Sequence, residues 1–234
     1  MRKLKYHRIL LKLSGELLGP KGRGIDSNKL IEVATIIQSA YDLGAEIAIV
    51  VGGGNWWRKR DNSKNIKEVT SDYIGMLGTV LNGLALCDML NKKKVKTVVQ
   101  SFLVSVPGVM AFNAKKAVSE LKNKKVVIFA AGTGKPFVTT DTASAQRARD
   151  IQADVIFKVG EVDGVYTADP DKNKKAKKFR QITFREAEKR GLKIFDRNAY
   201  SICAKAGVPV IVFKWSKANL LKALSGENPG TIIL

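Results

Sequence analysis

Three glycine-rich breaks, each following an apolar run, contain the residues that could bind phosphate. They are Ser14-Gly15, Gly52-Gly53-Gly54 and Gly132-Thr133-Gly134. Glycines at the end of a strand let a ligand approach the backbone closely, and Thr139-Thr140-Asp141 predicts a helix whose positive end faces the same place. One such break is equally an ordinary turn before a capped helix. Three breaks, with Lys12 and Arg58 nearby, predict a site for more than one phosphorylated group.

Two basic residues beside these breaks each allow two interpretations. Lys12 interrupts an apolar run just before Ser14-Gly15. It is either a charge on an edge strand or a cation directed from the strand end at a phosphate. It is not a Walker lysine, because the chain has no GxxxxGK[ST] pattern. Arg58 belongs either to a solvated basic face or to a phosphate site.

The small numbers of histidines and cysteines exclude several kinds of catalytic and metal site. The chain has one histidine, His7, and two cysteines, Cys87 and Cys203. A Ser-His-Asp arrangement would have to use His7, and HExxH zinc chemistry is excluded. The cysteines have no metal-like spacing and are typical of reduced thiols in a cytoplasmic protein. Catalysis must then use Lys, Arg, Asp, backbone N–H groups or a nucleotide-bound metal, and these groups suit phosphoryl transfer.

The charge balance is strongly basic, with 41 Lys and Arg against 21 Asp and Glu and a formal net charge of +20. One interpretation is a nucleic-acid-binding face. The other is a set of solvated lysines around a site for anionic metabolites. The lysines are scattered in runs such as Lys92-Lys93-Lys94, without a nucleic-acid-binding motif, which favours the second. Any nucleic-acid binding should be weak, independent of sequence and steeply dependent on salt.

Apolar runs and helix signals alternate along the whole chain. This order predicts an α/β fold, in which a doubly wound, mainly parallel sheet has helices on both faces and forms three layers. No linker or repeat divides the chain, so we expect a single domain over 1–234. The predicted strands cover 7–13, 46–51, 97–100, 126–131, 154–159, 209–213 and 230–234. The predicted helices cover 28–43, 70–91, 114–122, 142–150, 184–190, 196–206 and 217–224.

The helix predicted over 70–91, capped by Thr70-Ser71-Asp72, contains three glycines. Each costs roughly 1 kcal/mol relative to alanine inside a helix. Their use suggests close packing between helices, which we expect at a subunit interface. No apolar run is as long as the roughly 20 residues of a membrane span, so no membrane partner is expected. The three glycines are Gly75, Gly78 and Gly83.

Across nearly its whole length the chain resembles the bacterial uridylate kinases of the amino acid kinase family. The run over 163–170 and the Gly-Thr-Gly and Thr-Thr-Asp segments are specific to these kinases among their relatives. The matching segments, in the order of the family, are Lys12-Leu13-Ser14-Gly15-Glu16, Gly24-Ile25-Asp26, Gly52-Gly53-Gly54-Asn55 with Arg58, Asp72 with Gly75-Met76-Leu77, Asn82-Gly83-Leu84-Ala85, Gly132-Thr133-Gly134, Pro136-Phe137, Thr139-Thr140-Asp141 and Asp163-Gly164-Val165-Tyr166-Thr167-Ala168-Asp169-Pro170.

The resemblance implies ATP-dependent phosphorylation of UMP to UDP with Mg²⁺, in pyrimidine nucleotide biosynthesis. It implies that Lys12 holds the ATP phosphates and that Arg58 neutralises charge near the transferred group. With Asp141 added on chemical grounds, these are the predicted catalytic residues, and no metal ion is expected to be bound directly by the protein. The residues implied for ATP are Lys12, Leu13, Ser14, Gly15, Gly54, Arg58, Gly160, Tyr166 and Asp169. Those implied for UMP are Gly53, Asp72, Thr133, Gly134, Lys135, Pro136, Phe137, Val138, Thr139 and Thr140.

The resemblance also extends to regulation. It implies a cytoplasmic hexamer that GTP activates and UTP inhibits. Gly160 departs from the family where many relatives carry threonine, so a nucleotide contact there could use only the backbone. Lys59 and Lys135 stand where glycine and asparagine are common, and these departures bear on regulation. The segment implied in the GTP response is Pro20, Lys21, Gly22, Arg23, Gly24 and Ile25.

Two other functions account for part of the sequence. A non-catalytic basic nucleic-acid-binding protein would leave Lys12 and the three glycine breaks unexplained. A related kinase acting on carbamate or acetylglutamate would share the lysine and glycine features but would lack the run over 163–170.

The chemistry of a phosphate acceptor needs no general base, because its attacking oxygen is already ionised near neutral pH. Asp141 is therefore expected to orient the cations, or to bind the metal through water. On sequence grounds, Asp141→Asn should lower kcat without a new pH dependence in the neutral range.

Overall fold

The computed structural model describes residues 3–62, 65–103, 106–170, 172–192 and 194–234. Within these ranges, nine strands form one sheet. They are β1 (Arg8–Leu13), β2 (Glu46–Val51), β3 (Thr97–Ser101), β4 (Val109–Ala111), β5 (Val126–Ala130), β6 (Val155–Gly160), β7 (Gln181–Ile182), β8 (Val210–Lys214) and β9 (Thr231–Ile233). Their order across the sheet is β4-β3-β5-β2-β1-β6-β8-β9-β7.

The sheet is mainly parallel, as predicted. Only β8 and β9, among the described strand pairs, run antiparallel. The two strands that the sequence did not predict, β4 and β7, are three and two residues long and form the two edges. β1 lies between β2 and β6. Lys12 is thus on a central strand, and its interpretation as an edge-strand charge is wrong.

Helices cover both faces of the sheet and complete the predicted three layers. One buried cluster joins residues of α1, α3 and α8 to one face, and a second joins residues of α4, α5, α6 and α7 to the other. The helices of the described residues are α1 (Ser27–Tyr41), α2 (Lys59–Asn62), α3 (Glu68–Lys92), α4 (Ala114–Lys122), α5 (Thr140–Asp150), α6 (Phe184–Lys189), α7 (Arg197–Ala206) and α8 (Lys217–Ser225).

The pleat of β1 directs Lys12 toward α5. Ile9, Leu11 and Leu13 belong to the buried cluster on the α1 and α3 face, whereas Leu10 belongs to the other cluster. Because side chains alternate along a strand, Lys12 lies on the same face as Leu10. This face is the one that α5 covers, so the Lys12 ammonium lies near the start of that helix.

Helix α3 begins earlier than predicted. It starts at Glu68 after an N-terminal residue, Lys67, that makes no side-chain cap, so Thr70-Ser71-Asp72 is not the cap. A Cβ on Gly78 would come within 3.0 Å of Trp56, and one on Gly83 would lie 3.5 Å from Ala130 and Ile128. These two glycines therefore pack against the chain's own sheet and loops. The expectation that the helix glycines mark a subunit interface is wrong for this pair.

By length and composition, α3 could cross a membrane, and it is the one such helix in the described part of the chain. Its most apolar window is 44% buried inside the fold. Met76, Val80, Leu86 and Leu90 belong to the core cluster beneath it. One side of the helix thus packs on the core of the fold, although its length and composition would also suit a membrane span.

Candidate functional site

Two of the three glycine breaks meet the start of α5 in one cavity at the carboxyl ends of the central strands. This is the position where parallel sheets bind ligands. We call it the glycine-loop cavity; its volume is about 360 Å³. Its lining residues are Lys12, Ser14, Gly15, Gly52, Gly53, Gly54, Arg58, Lys59 and Thr140.

The glycines of this cavity are needed because the two loops touch. A Cβ on Gly15 would lie 2.7 Å from the Gly52 carbonyl oxygen and 2.8 Å from the Gly54 nitrogen. A Cβ on Gly53 would lie 2.5 Å from the carbonyl oxygen of Gly75 in α3. Real Cβ atoms do not approach backbone atoms this closely. Any side chain at these positions would force the two loops, or the loop and α3, apart.

Two buried amides hold the second loop in place. Asn55 Nδ2 donates to Asn82 Oδ1 at 3.0 Å, and Asn82 Nδ2 donates to Asn55 Oδ1 at 2.7 Å. Asn82 Nδ2 also donates to the Gly52 carbonyl at 2.7 Å, and Asn55 Nδ2 donates to the Gly24 carbonyl at 2.9 Å. These bonds satisfy polar groups that would be costly to bury unpaired, and they fix the loop against α3.

Two lysines share the carboxylate of Asp141 beside the cavity. Lys12 Nζ lies 3.4 Å from Asp141 Oδ1, and Lys158 Nζ lies 2.7 Å from Asp141 Oδ2. Lys12 and Lys158 are direct neighbours across the β1–β6 pair. Burial, followed by the charge of Lys12, lowers the pKa of Lys158 to about 8, against the opposing effect of Asp141. The site thus has two adjacent cations with one counter-ion between them.

Lys158 is the residue that the sequence analysis missed. It interrupts the apolar strand before Gly160 just as Lys12 interrupts the strand before Ser14-Gly15. A search for lysines near the ends of buried strands would have found both. Lys158 Nζ also donates to the carbonyl oxygen of Ile194, which fixes the ammonium in the site.

Arg58 lies over the second glycine loop and pairs with Glu16. A Cβ on Gly54 would lie 3.3 Å from Arg58 Nε, and Arg58 Nη2 forms an ion pair with Glu16 Oε1. Glu16 follows the first glycine loop in a single 3₁₀ turn, Gly15–Leu17. The ion pair therefore joins the two loops and holds the guanidinium at the mouth of the glycine-loop cavity.

A second cavity of about 260 Å³ lies next to the first one and shares Lys12 and Ser14 with it. Gly160 lines it, as the resemblance implied, but Tyr166 and Asp169 are not among the described residues of its lining. The other lining residues are Glu16, Leu17, Lys158, Val159, Glu161, Val162 and Val212.

Three of the residues implied for ATP are buried or already hydrogen-bonded within the protein. The side chain of Leu13 is fully buried in the core, so Leu13 could offer only its backbone. The phenol of Tyr166 donates to Asp163 Oδ1 at 2.8 Å. The backbone carbonyl of Asp169 accepts from Asn173 N at 2.9 Å.

The segment from Thr133 to Thr140 reaches the cavity at its end. Thr140 lines the cavity, and the backbone N–H of Phe137 donates to Asp72 Oδ2 at 2.8 Å. Asp72 therefore holds this segment instead of capping α3. Residues 133 to 139 are exposed or half-buried above the cavity and are not part of its lining; they include Gly134, Lys135, Pro136 and Val138.

Asp196 anchors the start of α5. Thr139 caps this helix by accepting from the backbone of Asp141 and Thr142. Thr139 Oγ1 donates to Asp196 Oδ2, and Thr142 Oγ1 donates to Asp196 Oδ1 at 2.7 Å. Burial alone would raise the pKa of Asp196, but these hydrogen bonds lower it below its usual value. The charged form of Asp196 thereby holds the turn that carries Asp141.

The segment over 20–25 packs against the second glycine loop. Gly24 N donates to the Asn55 carbonyl at 2.9 Å, and a Cβ on Gly24 would lie 2.8 Å from the ring of Trp56. Lys21 forms an ion pair with Asp61 at 2.7 Å. The segment over 20–25 is therefore in contact with the loop that lines the cavity.

A magnesium ion would fit this site as a partner of nucleotide phosphates. Among the described residues, no three His, Cys, Asp or Glu side chains are grouped to hold a metal ion. Asp141, the carboxylate between the two lysines, is already shared by Lys12 and Lys158. The donor set suits a cation that arrives on phosphate oxygens.

Comparisons with known proteins show the family and the fold of the chain. The model of the amino acid kinase family matches residues 7–214. A uridylate kinase of Phocaeicola vulgatus is 46% identical over 232 residues, which are 98% of each protein. The crystal structure of UMP kinase from Bacillus anthracis has a TM-score of 0.94 at 35% identity, over 97% of this chain and 96% of that one. UMP kinase from Ureaplasma parvum has a TM-score of 0.90 at 34% identity, over 100% and 99%.

Proposed function

This chain belongs to the amino acid kinase family, and we propose that it transfers the γ-phosphoryl group of ATP to UMP, giving UDP and ADP. The observation that carries this proposal is the shared wall of the two cavities. Lys12 and Ser14 line both of them, and Lys158 lines the second cavity next to Lys12. Two phosphorylated substrates in these cavities would meet at a pair of ammonium groups.

The donor is assigned to the second cavity and the acceptor phosphate to the glycine-loop cavity. The ATP phosphates would lie along Lys12, Ser14 and Gly15, with the adenosine toward Gly160. The UMP phosphate would lie against the backbone of Gly53 and Gly54. Asp72 would accept from ribose hydroxyls, and the segment 133–140 would contact the uracil. Tyr166 and Asp169 would have to approach the adenosine by movement of their loop.

Catalysis would rest on positioning and charge stabilisation. The acceptor phosphate is already a dianion near neutral pH, because its second pKa is about 6. Lys12 and Lys158 would stabilise the negative charge on the transferred group, with Arg58 at the acceptor side. Asp141 would hold the two lysines and would not remove a proton. When bound with ATP, Mg²⁺ would neutralise the charge on the donor phosphates.

Substrate choice tests the proposal directly. With MgATP as donor, ADP release should be much faster with UMP than with CMP, dUMP, AMP or GMP, because the backbone and hydroxyl groups of 133–140 can read a uracil edge. Initial rates on this panel, with carbamate and acetylglutamate added, give the measurement. Equal rates with CMP, or activity on carbamate without activity on UMP, would contradict it.

We also propose that the enzyme acts in pyrimidine nucleotide biosynthesis in the cytoplasm. It would be a single domain that assembles into a hexamer, with GTP as activator and UTP as inhibitor.

Support for assembly comes from a stripe of apolar side chains on α3. Val69, Tyr73, Leu77 and Leu81 are four residues apart and so lie on one face of the helix. Leu77 and Leu81 are 47% and 46% exposed. Such an exposed stripe marks an interaction surface.

Disrupting this stripe should break the assembly. Leu77→Lys would place a charge in a buried contact, so light scattering should show a large oligomer for the wild type and smaller species for the variant. Ile31→Lys is the matched control, because Ile31 is an apolar residue of α1 with 43% exposure. A wild type that is monomeric at micromolar concentration, or a Leu77→Lys variant of unchanged size, would be the contrary result.

A further inference from the structure

We propose that Lys59 is a further binding residue for the phosphate of the acceptor nucleotide, in addition to Arg58 and the glycine backbone. The inference rests on the proposed function and adds one residue to its acceptor site. The ligand chemistry is a nucleoside monophosphate dianion. Lys59 begins the short helix α2, directly after Arg58.

The position of Lys59 places its side chain at the phosphate. It lines the glycine-loop cavity together with Gly53, Gly54 and Arg58. Its side chain is 34% exposed, so the ammonium can change position without disturbing the core. A lysine combines a compact charge with a flexible four-carbon stem. Lys59 can therefore follow a phosphate that enters beside Arg58.

Lys59 contacts groups that surround the acceptor site. Its Nζ lies 3.3 Å from Glu68 Oε2 and 3.4 Å from Asp72 Oδ2. It also lies 4.8 Å from the centroid of the Phe137 ring, a distance suited to a cation–π contact. Glu68 is 65% exposed, and such surface ion pairs contribute little. The pair with Glu68 therefore holds the ammonium only weakly, whereas Asp72, whose side chain is 19% exposed, is the stronger partner.

Asp72 connects the position of Lys59 to substrate binding. The same oxygen, Oδ2, accepts from Phe137 N at 2.8 Å and lies 3.4 Å from Lys59 Nζ. Ribose hydroxyls that donate to Asp72 would compete with Lys59 for this oxygen. The Lys59 ammonium, once displaced from Asp72, would then pair with the incoming phosphate. Binding of the sugar would thus release the cation that binds the phosphate.

Every one of the four cations of the site has a carboxylate partner, and Lys59 has the most exposed side chain of the four, at 34%. Lys12 and Lys158 share Asp141, and Arg58 pairs with Glu16. An acceptor dianion close to the donor phosphates needs further positive charge to offset their repulsion. Lys59 is the cavity-lining lysine on the acceptor side, since Lys12 lies between the two cavities. Its main effect should therefore be on acceptor binding, with a smaller effect on the chemical step.

The test compares Lys59→Met with Lys59→Arg in the full-length enzyme. Methionine keeps the apolar stem and removes the charge. The KM for UMP should rise about tenfold or more, the scale of losing a hydrogen bond to a charged group. By comparison, the KM for ATP and kcat should each change by less than about threefold. Lys59→Arg retains the charge and should recover most of the UMP affinity.

Inhibition by uridine separates a phosphate contact from a structural role. Uridine has the same ribose and base as UMP but no phosphate. Its inhibition constant should not rise in Lys59→Met, and it should fall if the ribose competes with Lys59 for Asp72. If UMP and uridine weakened equally, Lys59 would act only by orienting Asp72, and the proposal would be overturned. An unchanged KM for UMP in Lys59→Met would overturn it as well.

Lys125→Met is the matched control. Lys125 forms an ion pair with Glu120 at 2.7 Å, and its side chain is 35% exposed, so the variant removes a lysine of similar setting. Lys125 precedes β5, at the opposite end of that strand from the glycine break. Its KM for UMP should equal that of the wild type. If the wild type did not phosphorylate UMP, the proposed function itself would be wrong. If the wild type were active and Lys59→Met bound UMP equally well, only the proposed role of Lys59 would be wrong.

Discussion

Replacing Lys12 with alanine is expected to lower kcat by about 10²–10³ or more, the scale for losing one group that stabilises charge in a transition state. Lys12 lies where the two cavities meet and is 3.4 Å from Asp141. Alanine would leave Lys158 as the single ammonium at this point. The transferred group would then be stabilised by one of these two ammonium groups instead of both. The KM for UMP should change less, because in this mechanism Lys12 binds phosphates, while Asp72 and the segment 133–140 would bind the sugar and the base.

The measurement is steady-state kinetics on the correctly assembled variant. Lys96→Ala is a suitable control, because Lys96 is an exposed lysine at the opposite end of the sheet, just before β3. Size-exclusion chromatography and thermal unfolding would show that both variants are folded. Near wild-type kcat in Lys12→Ala would mean that Lys12 is not the central cation, and the mechanism above would be wrong.

Replacing Asp141 with asparagine should lower kcat by about tenfold to a hundredfold and should also change the pH profile. Asp141 is the counter-ion between Lys12 and Lys158. Without its charge, the two ammonium groups repel each other and lose their shared orientation. This differs from the sequence-based expectation of no new pH dependence, because that expectation did not include Lys158.

The direction of the pH effect follows from the pKa of Lys158. That pKa is about 8, and the proposed mechanism requires the charged form of Lys158. In the wild type, kcat/KM should fall as the pH rises through about 8, while the acid limb near pH ~6 reflects the phosphate of UMP. Asp141 raises the pKa of Lys158, so its loss should lower that pKa and move the alkaline limb toward neutral pH.

Profiles of kcat/KM between about pH 6 and pH 9 would measure this shift. Asp150→Asn is a control on the same helix, because Asp150 pairs with Arg147 and Arg149 at the far end of α5. Its profile should match that of the wild type. An alkaline limb in Asp141→Asn that coincides with that of the wild type would show that Lys158 does not need to be charged.

Most strands and helices could be predicted because their signals are local. Apolar runs gave the central strands within one or two residues, and Asp26, Asn113, Asp196 and Ser216 cap helices by accepting from the backbone in the first turn. Asp72 shows the limit of this reasoning. Its sequence context is that of a cap, but its carboxylate accepts from Phe137, 65 residues away. A tertiary partner that distant leaves no local signal.

The candidate site could be predicted in its parts but not in its arrangement. The glycine breaks and Lys12 are visible because their residue types are unusual at the ends of apolar runs. Whether Lys12 lay on an edge or a central strand depended on the order of strands, which periodicity does not contain. The pairing of Lys12 with Lys158 depends on the register between β1 and β6. The two residues are 146 positions apart, so only the fold brings them together.

The contact between Gly15 and the second glycine loop has a consequence for motion in the enzyme. Because the backbones of the two loops touch, with Asn55 and Asn82 bonded behind them, these loops cannot open and close relative to each other. They form a rigid floor beneath both substrates. Closure would have to come from the flanks, such as residues 133–139, which lead into the glycine-loop cavity at Thr140. Amide hydrogen exchange should therefore be slow in the floor and fast in the flanks, and nucleotide binding should slow only the latter.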